Sequence, residues 1–295
     1  MRVQKSFRDN GWTAALRTLG HAAVLLLLPW GGGVAAHAQS QEVAVRYSAP
    51  QLNCAVFLET AESDIQTQTG GRIREQTAGR RGVWQFRAKP VVDGVSLEGW
   101  LDSLSLWRKS LETMIRPDTD GLLGGRYRGT LSGSGIYVSQ ARPFVPDEVA
   151  EVAGMGSALD DFFPPLPARP LRPGQAWKDS AGVTLRRVGD SGFLGVPLYR
   201  FELDSQRESR SVAVSGDTVP LRLRQVSREH GTFVWHPVLG LLRRDRRIVV
   251  ETSVPAGRAV RQPVRSKIVQ RITVVRDLTR PPGDGGRCPP QSVGR

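Results

Sequence analysis

The stretch Arg265-Ser266-Lys267-Ile268-Val269-Gln270-Arg271-Ile272-Thr273-Val274 reads as a strand with two unlike faces. Ile268, Ile272 and Val274 fall on one side, and Arg265, Lys267 and Arg271 fall on the other. A period of two with one apolar and one charged face marks a half-buried antiparallel sheet. Immediately upstream, Val254-Pro255-Ala256-Gly257 separates this run (259–276) from another strand-like run at 243–253, so the pair reads as a long hairpin.

The same pattern recurs outward from this hairpin. Leu221 and Leu223 alternate with Arg222 and Arg224. Tyr199, Phe201 and Leu203 alternate with Arg200, Glu202 and Asp204. Val83-Trp84-Gln85-Phe86-Arg87 is rich in strand formers. Gly70-Gly71, Asp93-Gly94, Gly124-Gly125 and Gly133-Ser134-Gly135 mark turns. Residues 97–115 fit two templates. Leu97, Trp100, Leu101, Leu104, Trp107, Leu111 and Ile115 form a helical stripe, yet the run also follows a hairpin turn, and its first half is read here as the return strand. One helix is expected over 146–163. Pro146, Asp147 and Glu148 suit its first turn, Val149, Val152, Leu159 and Phe163 follow at helical spacing, and Pro164-Pro165 ends it. The fold expected is therefore all-β or β-rich α+β: an antiparallel sheet with one short amphipathic helix.

The 295 residues include 41 Lys+Arg and 28 Asp+Glu, a net charge of +13. At 39% apolar with no Gly-x-y period, the chain is neither disordered throughout nor collagen-like. Residues 1–38 read as a secretory signal peptide. Arg2, Lys5, Arg8 and Arg17 precede an apolar run from Ala22 to Leu28, and Ala36-His37-Ala38 supplies a small–x–small cleavage site. The run is too short to span a bilayer, so no transmembrane span is expected after cleavage, and the protein is expected to be exported, periplasmic or secreted. Residues 39–278 are read as one β-rich domain. The five prolines of 164–174 divide it into two halves, each carrying Gly-Leu-Leu before an Arg (121–123 and 240–242), which fits a pair of pseudo-repeats. Residues 279–295 read as a disordered tail.

Net charge is concentrated in one block. Residues 221–276 hold thirteen Lys+Arg and three acids, while the rest of the mature chain is neutral. Such asymmetry points to an anionic partner. The contact residues expected on that reading are Arg243, Arg244, Arg246, Arg247, Arg265, Lys267 and Arg271. A plain solvated face accounts for the same residues, because Arg outnumbers Lys 36 to 5, as codon usage in a GC-rich genome produces. Export, and the lack of a basic motif interleaved with aromatics, argue against nucleic acid.

Candidate chemistry is sparse. Two cysteines, Cys54 and Cys288, have a disulfide open to them in an oxidising compartment. His230 and His236 flank a strand and read as turn or surface histidines. Asp118-x-Asp120-Gly121 begins like a calcium loop but lacks the later ligands, so a capped turn explains it. There is no nucleophile elbow, phosphate loop or dinucleotide fingerprint. No catalytic residue, metal or cofactor is assigned. A hydrolase with an unrecognised site is the weakest of three functional readings. The strongest is a binding protein whose apolar groove is lined by Trp84, Phe86, Trp100, Leu104, Trp107, Phe162, Phe163 and Trp177, holding a lipid-like ligand. The other is an interaction protein that meets an anionic envelope component through its basic strands.

Two motifs resemble those of uncharacterised β-rich exported bacterial proteins. They are Leu166-Pro167 through Pro173-Gly174-Gln175-Ala176-Trp177, and Gly231-Thr232-Phe233-Val234-Trp235-His236 through Gly240-Leu241-Leu242. His236 stands where that pattern usually has aspartate. Such proteins are similar to the half-barrels of lipoprotein carriers, and the resemblance implies a curved antiparallel sheet or half-barrel whose concave face holds acyl chains.

Overall fold

The computed structural model describes residues 42–146, 149, 159–193, 195–215, 219–257 and 260–279. The expected signal peptide, most of the expected helix at 146–163 and all but Thr279 of the expected tail therefore lie outside the described residues. After a one-turn helix, α1 (Ala49–Leu52), come β1 (Val56–Thr69), β2 (Arg72–Val91), β3 (Gly94–Lys109), β4 (Met114–Ile115), β5 (Tyr127–Ser132) and β6 (Tyr137–Ala141). The second half contributes β7 (Ala176–Lys178), β8 (Thr184–Phe193), β9 (Val196–Ser215), β10 (Val219–His236), β11 (Gly240–Val254) and β12 (Val264–Arg276).

All twelve strands form one curved, unclosed antiparallel sheet. Its order is β6-β5-β3-β2-β1-β12-β11-β10-β9-β8-β7, with β4 pairing β3 to the side. The first and last long strands meet in the middle, from Phe57 opposite Arg276 to Thr69 opposite Val264. Each half of the chain thus builds one wing, and β1 with β12 forms the seam.

Local sequence explains the hairpins. Gly70 and Gly71 both have positive φ (53° and 81°), which a two-residue turn between Thr69 and Arg72 requires. The next turn falls one residue earlier than the sequence reading placed it, at Val92-Asp93, with Val91 opposite Gly94. The 97–115 segment is strand from its start to Lys109, so hairpin pairing prevails over its helical stripe. Gly121-Leu122-Leu123 lies at a 3-10 turn (Asp120–Leu122), whereas Gly240-Leu241-Leu242 opens β11. The two triplets therefore do different work.

One face of the sheet carries the core. Phe57 and Trp84 sit opposite each other, as do Phe201 and Phe233, and all four are fully buried. Residues 159–163 form a turn rather than a helix end, and that turn puts Phe162 and Phe163 onto this inner face. Inner and outer faces alternate along the strands, as the pleat dictates, except at bulges in β3 beside Val83/Trp84, in β11 beside Val234/Trp235, in β6 beside Arg128/Gly129 and in β8 between Arg187 and Gly189.

Candidate functional site

The inner face divides into three zones along the strands. The first is an aromatic plug. Phe162 packs edge-on to Phe57 (5.6 Å between centroids) and to Phe163 (5.0 Å), and tilts against Phe86 (5.4 Å). Trp84 stacks on Phe86 at 6.2 Å. Each such pair contributes about 0.5–1.5 kcal/mol beyond its buried area. Gly99 permits the approach, since a Cβ there would lie 2.8 Å from the Phe86 ring.

The second zone is an ionic belt. Glu59 accepts from Arg80 Nη2 (2.6 Å) and Trp84 Nε1 (2.9 Å). Glu229 accepts from Arg246 Nε (2.6 Å) and Nη2 (2.9 Å) and from Arg244 Nη2 (3.2 Å). Arg244 and Arg246 also donate to the Asp161 carbonyl, and Arg244 to that of Phe162. Burial pushes the Glu229 carboxyl up, but Arg246 and Arg244 outweigh it and hold it below its ordinary value. Burial, then neighbouring Arg246, brings Arg244 down to about 10, so it keeps its charge at neutral pH. Arg187 donates to the Leu171 carbonyl at 2.6 Å. These three arginines fasten the 159–171 segment across the sheet.

Beyond the belt lies the third zone, the open length of the inner face. Ile65, Ile268 and Val250 form one continuous row across β1, β12 and β11, and Ile248 stands in the row before it. All four are half-buried. The flanking inward positions on β1, β12, β11 and β10 include Thr67, Ser266, Thr252, Gln225 and Ser227. On β1, β12 and β11 this stretch of the inner face is uncharged. The outer face beside it carries Asp64, Arg265, Lys267, Arg271, Arg247 and Glu251. It is a trough, apolar along one row and neutral-polar on either side on these three strands, with Glu229 of the belt and Arg207 on its β10–β9 flank and Arg74 on its β2 flank.

The residues picked from sequence scatter among these zones. Trp84, Phe86, Phe162 and Phe163 come together, but as the packed plug rather than as walls of the trough. Leu104 and Trp177 pack at the edge of the core. Trp100 and Trp107 lie on the outer face. Trp100 is covered by Arg126 at 3.9 Å, and the Trp107 ring lies where a Cβ on Gly79 would stand.

The basic set divides too. Arg243, Arg247, Arg265, Lys267 and Arg271 are exposed on the outer face. Arg244 and Arg246 need correction. They are 4% and 9% exposed, point inward and are held in the belt, so they reach no external surface. Sequence reasoning missed Glu59, Glu229 and Arg187. The inward turn of Arg244 and Arg246 follows from the bulge in β11, which reverses the alternation between Leu241 and Arg244.

Cys54 is buried and disulfide-bonded. The chain's other cysteine, Cys288, lies outside the described residues. Asp118 Oδ1 accepts from the Asp120 N–H at 2.9 Å, a local turn cap. Among the described residues no group of three or more His, Cys, Asp or Glu gathers. No helix among them is long and apolar enough to cross a membrane.

No family model matches the chain, and no curated protein matches it. Among solved structures it is similar to a DUF1329 family protein from Desulfovibrio piger, at 10% identity over 78% of this chain and 88% of that one, with a TM-score of 0.14. It is also similar to LprF from Mycobacterium bovis, at 10% identity over 75% and 85%, again with a TM-score of 0.14. Scores this low leave both as resemblances without bearing on function.

Proposed function

We propose that this protein is an exported, non-enzymatic binding protein of the cell envelope that holds an apolar, lipid-like ligand against the open inner face of its sheet. The observation that carries this reading is the contrast between faces. On β1, β12 and β11 the inner face past the belt offers the row Ile65–Ile268–Val250 between the uncharged rows Thr67–Ser266–Thr252 and Ser63–Gln270–Ile248, while the outer face of the same strands at that level is charged. A concave face that is mostly apolar, with a few neutral polar groups, suits an acyl chain. The belt floors the trough with charges that are already paired, so a ligand need not satisfy them. The disulfide at Cys54 supports an oxidising compartment, and with it export.

The test is native mass spectrometry of protein purified gently from the periplasm, with organic extraction of what travels with it, followed by titration with the neutral probe N-phenyl-1-naphthylamine. Uptake at one probe per chain, unchanged between low and high salt, is expected. The double substitution Val250→Glu and Ile268→Glu is expected to abolish it. A lipid-free protein that takes up no probe overturns the proposal.

A second reading, an interaction protein that binds an anionic surface through its basic C-terminal strands, has one observation in its favour. Arg247, Arg265 and Lys267 face outward with no ion-pair partner among the described residues. Salt-sensitive vesicle binding without probe uptake would favour it.

A further inference from the structure

The β9–β10 and β10–β11 ladders end at different heights. The last β10–β11 pair is Arg224 opposite Ser253, but β10 continues to Val219, paired only with β9. The β9–β10 ladder therefore runs about five residues, roughly 17 Å, past the last β10–β11 pair. Between this extension and the 255–263 loop lies a cleft of about 740 Å³. That size falls within the range of small-molecule sites.

The cleft has two kinds of wall. Leu223, Val254, Pro255 and Val264 make it apolar. Leu223, Val254 and Val264 share the inward face and form a second apolar row, separated from Ile65–Ile268–Val250 by the neutral row Thr67–Ser266–Thr252–Gln225. Arg210, Arg222, Arg224 and Arg265, which the alternation places on the outer face, make its other wall basic, so the cleft spans the rim between the two faces, and no acid lines it among the described residues. Arg210 and Arg224 stand directly opposite each other, an arrangement that costs stability in a sheet. A single carboxylate, Glu208, bridges them at 3.1 and 3.0 Å. Arg222 and Arg265 have no ion-pair partner among the described residues. Arg224 and Arg265 flank Ser253 in one row, with backbones about 10 Å apart, a gap that two long guanidinium side chains can close on one small anion.

We infer that this cleft is the mouth of the trough and takes the phosphate headgroup of an anionic phospholipid, whose acyl chains run along the inner face. The inference rests on the trough reading and adds the ligand class and its orientation. Headgroup charge complements the unpaired arginines, and the apolar wall receives the glycerol end of the chains.

The probes are dihexanoyl phosphatidylglycerol and dihexanoyl phosphatidylcholine, both kept below their micellar concentrations, and inorganic phosphate, each titrated by calorimetry. The variants are Arg222→Glu with Arg265→Glu, and the milder Arg222→Gln with Arg265→Gln. Arg222 and Arg265 lie at the surface without an ion-pair partner among the described residues, and a thermal melt checks that the variants fold. The glycerol lipid is expected to bind more tightly than the choline lipid and than phosphate. Both variants are expected to lose about tenfold or more of that affinity while retaining uptake of N-phenyl-1-naphthylamine. Equal affinity for the two lipids, phosphate binding as tight as the lipid, or undiminished affinity in folded variants overturns the inference and leaves the trough reading standing if probe uptake persists. Arginine-dependent lipid binding without probe uptake keeps the cleft as the headgroup site and removes the trough.

Discussion

His236 Nδ1 accepts two backbone N–H groups, from Val238 at 3.1 Å and Leu239 at 3.0 Å. It thereby caps the three-residue turn that ends with Gly240 at φ 75°. An aspartate carboxylate would accept the same two donors, which explains why His can stand where the resembling motif has Asp. The ring can accept only while Nδ1 is unprotonated. Burial, and then Arg276, hold the His236 pKa below its ordinary value. The unfolded chain therefore binds this proton more readily than the folded one. The stability due to the cap is intact above about pH 6.5 and falls as the pH drops below it. A melt series from pH 8 to 5 should show the native chain losing stability across that window. His236→Asp should keep its stability there, because its own loss moves down into the carboxylate range. His236→Ala should be weaker throughout, by about 1 kcal/mol. His230 is common to all three chains, so differences among them belong to His236. Parallel slopes for the native and Asp chains would remove this account. The turn itself was legible in Gly231–Leu242. The inward arginines were not. Charge patterning places Arg244 and Arg246 outside, and only the bulge and the Glu229 and Asp161 partners, distant in sequence, explain why they are inside.

Strand β10 carries two environments on one element. Residues 225–236 lie between β9 and β11, whereas 219–223 pair with β9 alone. N–H groups in the projecting part that point away from β9 lack a strand partner, and Pro220, which has no N–H, suits such an edge. Amide exchange in the folded protein should follow this division. The 219–223 segment is expected to exchange at least about tenfold sooner than 229–235, because its bonds open without breaking the central sheet. Uniform protection along β10 would mean that the projecting edge is covered. Strand identity was readable at this scale wherever apolar and charged residues alternate, as in β9 and β12. It was ambiguous in β3, where Leu97, Leu101 and Leu104 keep helical spacing and Leu104 breaks the period of two until the bulge beside Leu101 returns it to the inner face. Pairing to β2 on one side and β5 on the other decides it, and such long-range pairing is invisible in a local window.

At the scale of the whole molecule, the curved sheet depends on a seam between its ends. Asp64 and Arg271 form an ion pair across β1 and β12 although 207 residues separate them. Alternation shows that both strands are half-buried but does not reveal that they are neighbours, so the strands of the seam were legible and their pairing was not. Closing a loop of this length delays the contacts that follow it, and until β12 arrives both β1 and β11 are bare edges. The seam also anchors the rest. Arg276 at the end of β12 donates to the carbonyls of Gln51 (2.7 Å) and Leu239, tying α1 to the β10–β11 turn. A chain ending at residue 257 keeps the aromatic plug, the belt and strands β1 to β11, yet it should show no cooperative melt and should aggregate. Because this truncation also removes Cys288, its comparator is the full chain with Cys54→Ser, which has β12 but cannot form the disulfide. That comparator should melt cooperatively, at a lower temperature than the native chain. A cooperative transition in the truncated chain close to that of the comparator would mean that each wing is stable alone, and the seam would then join two domains rather than complete one.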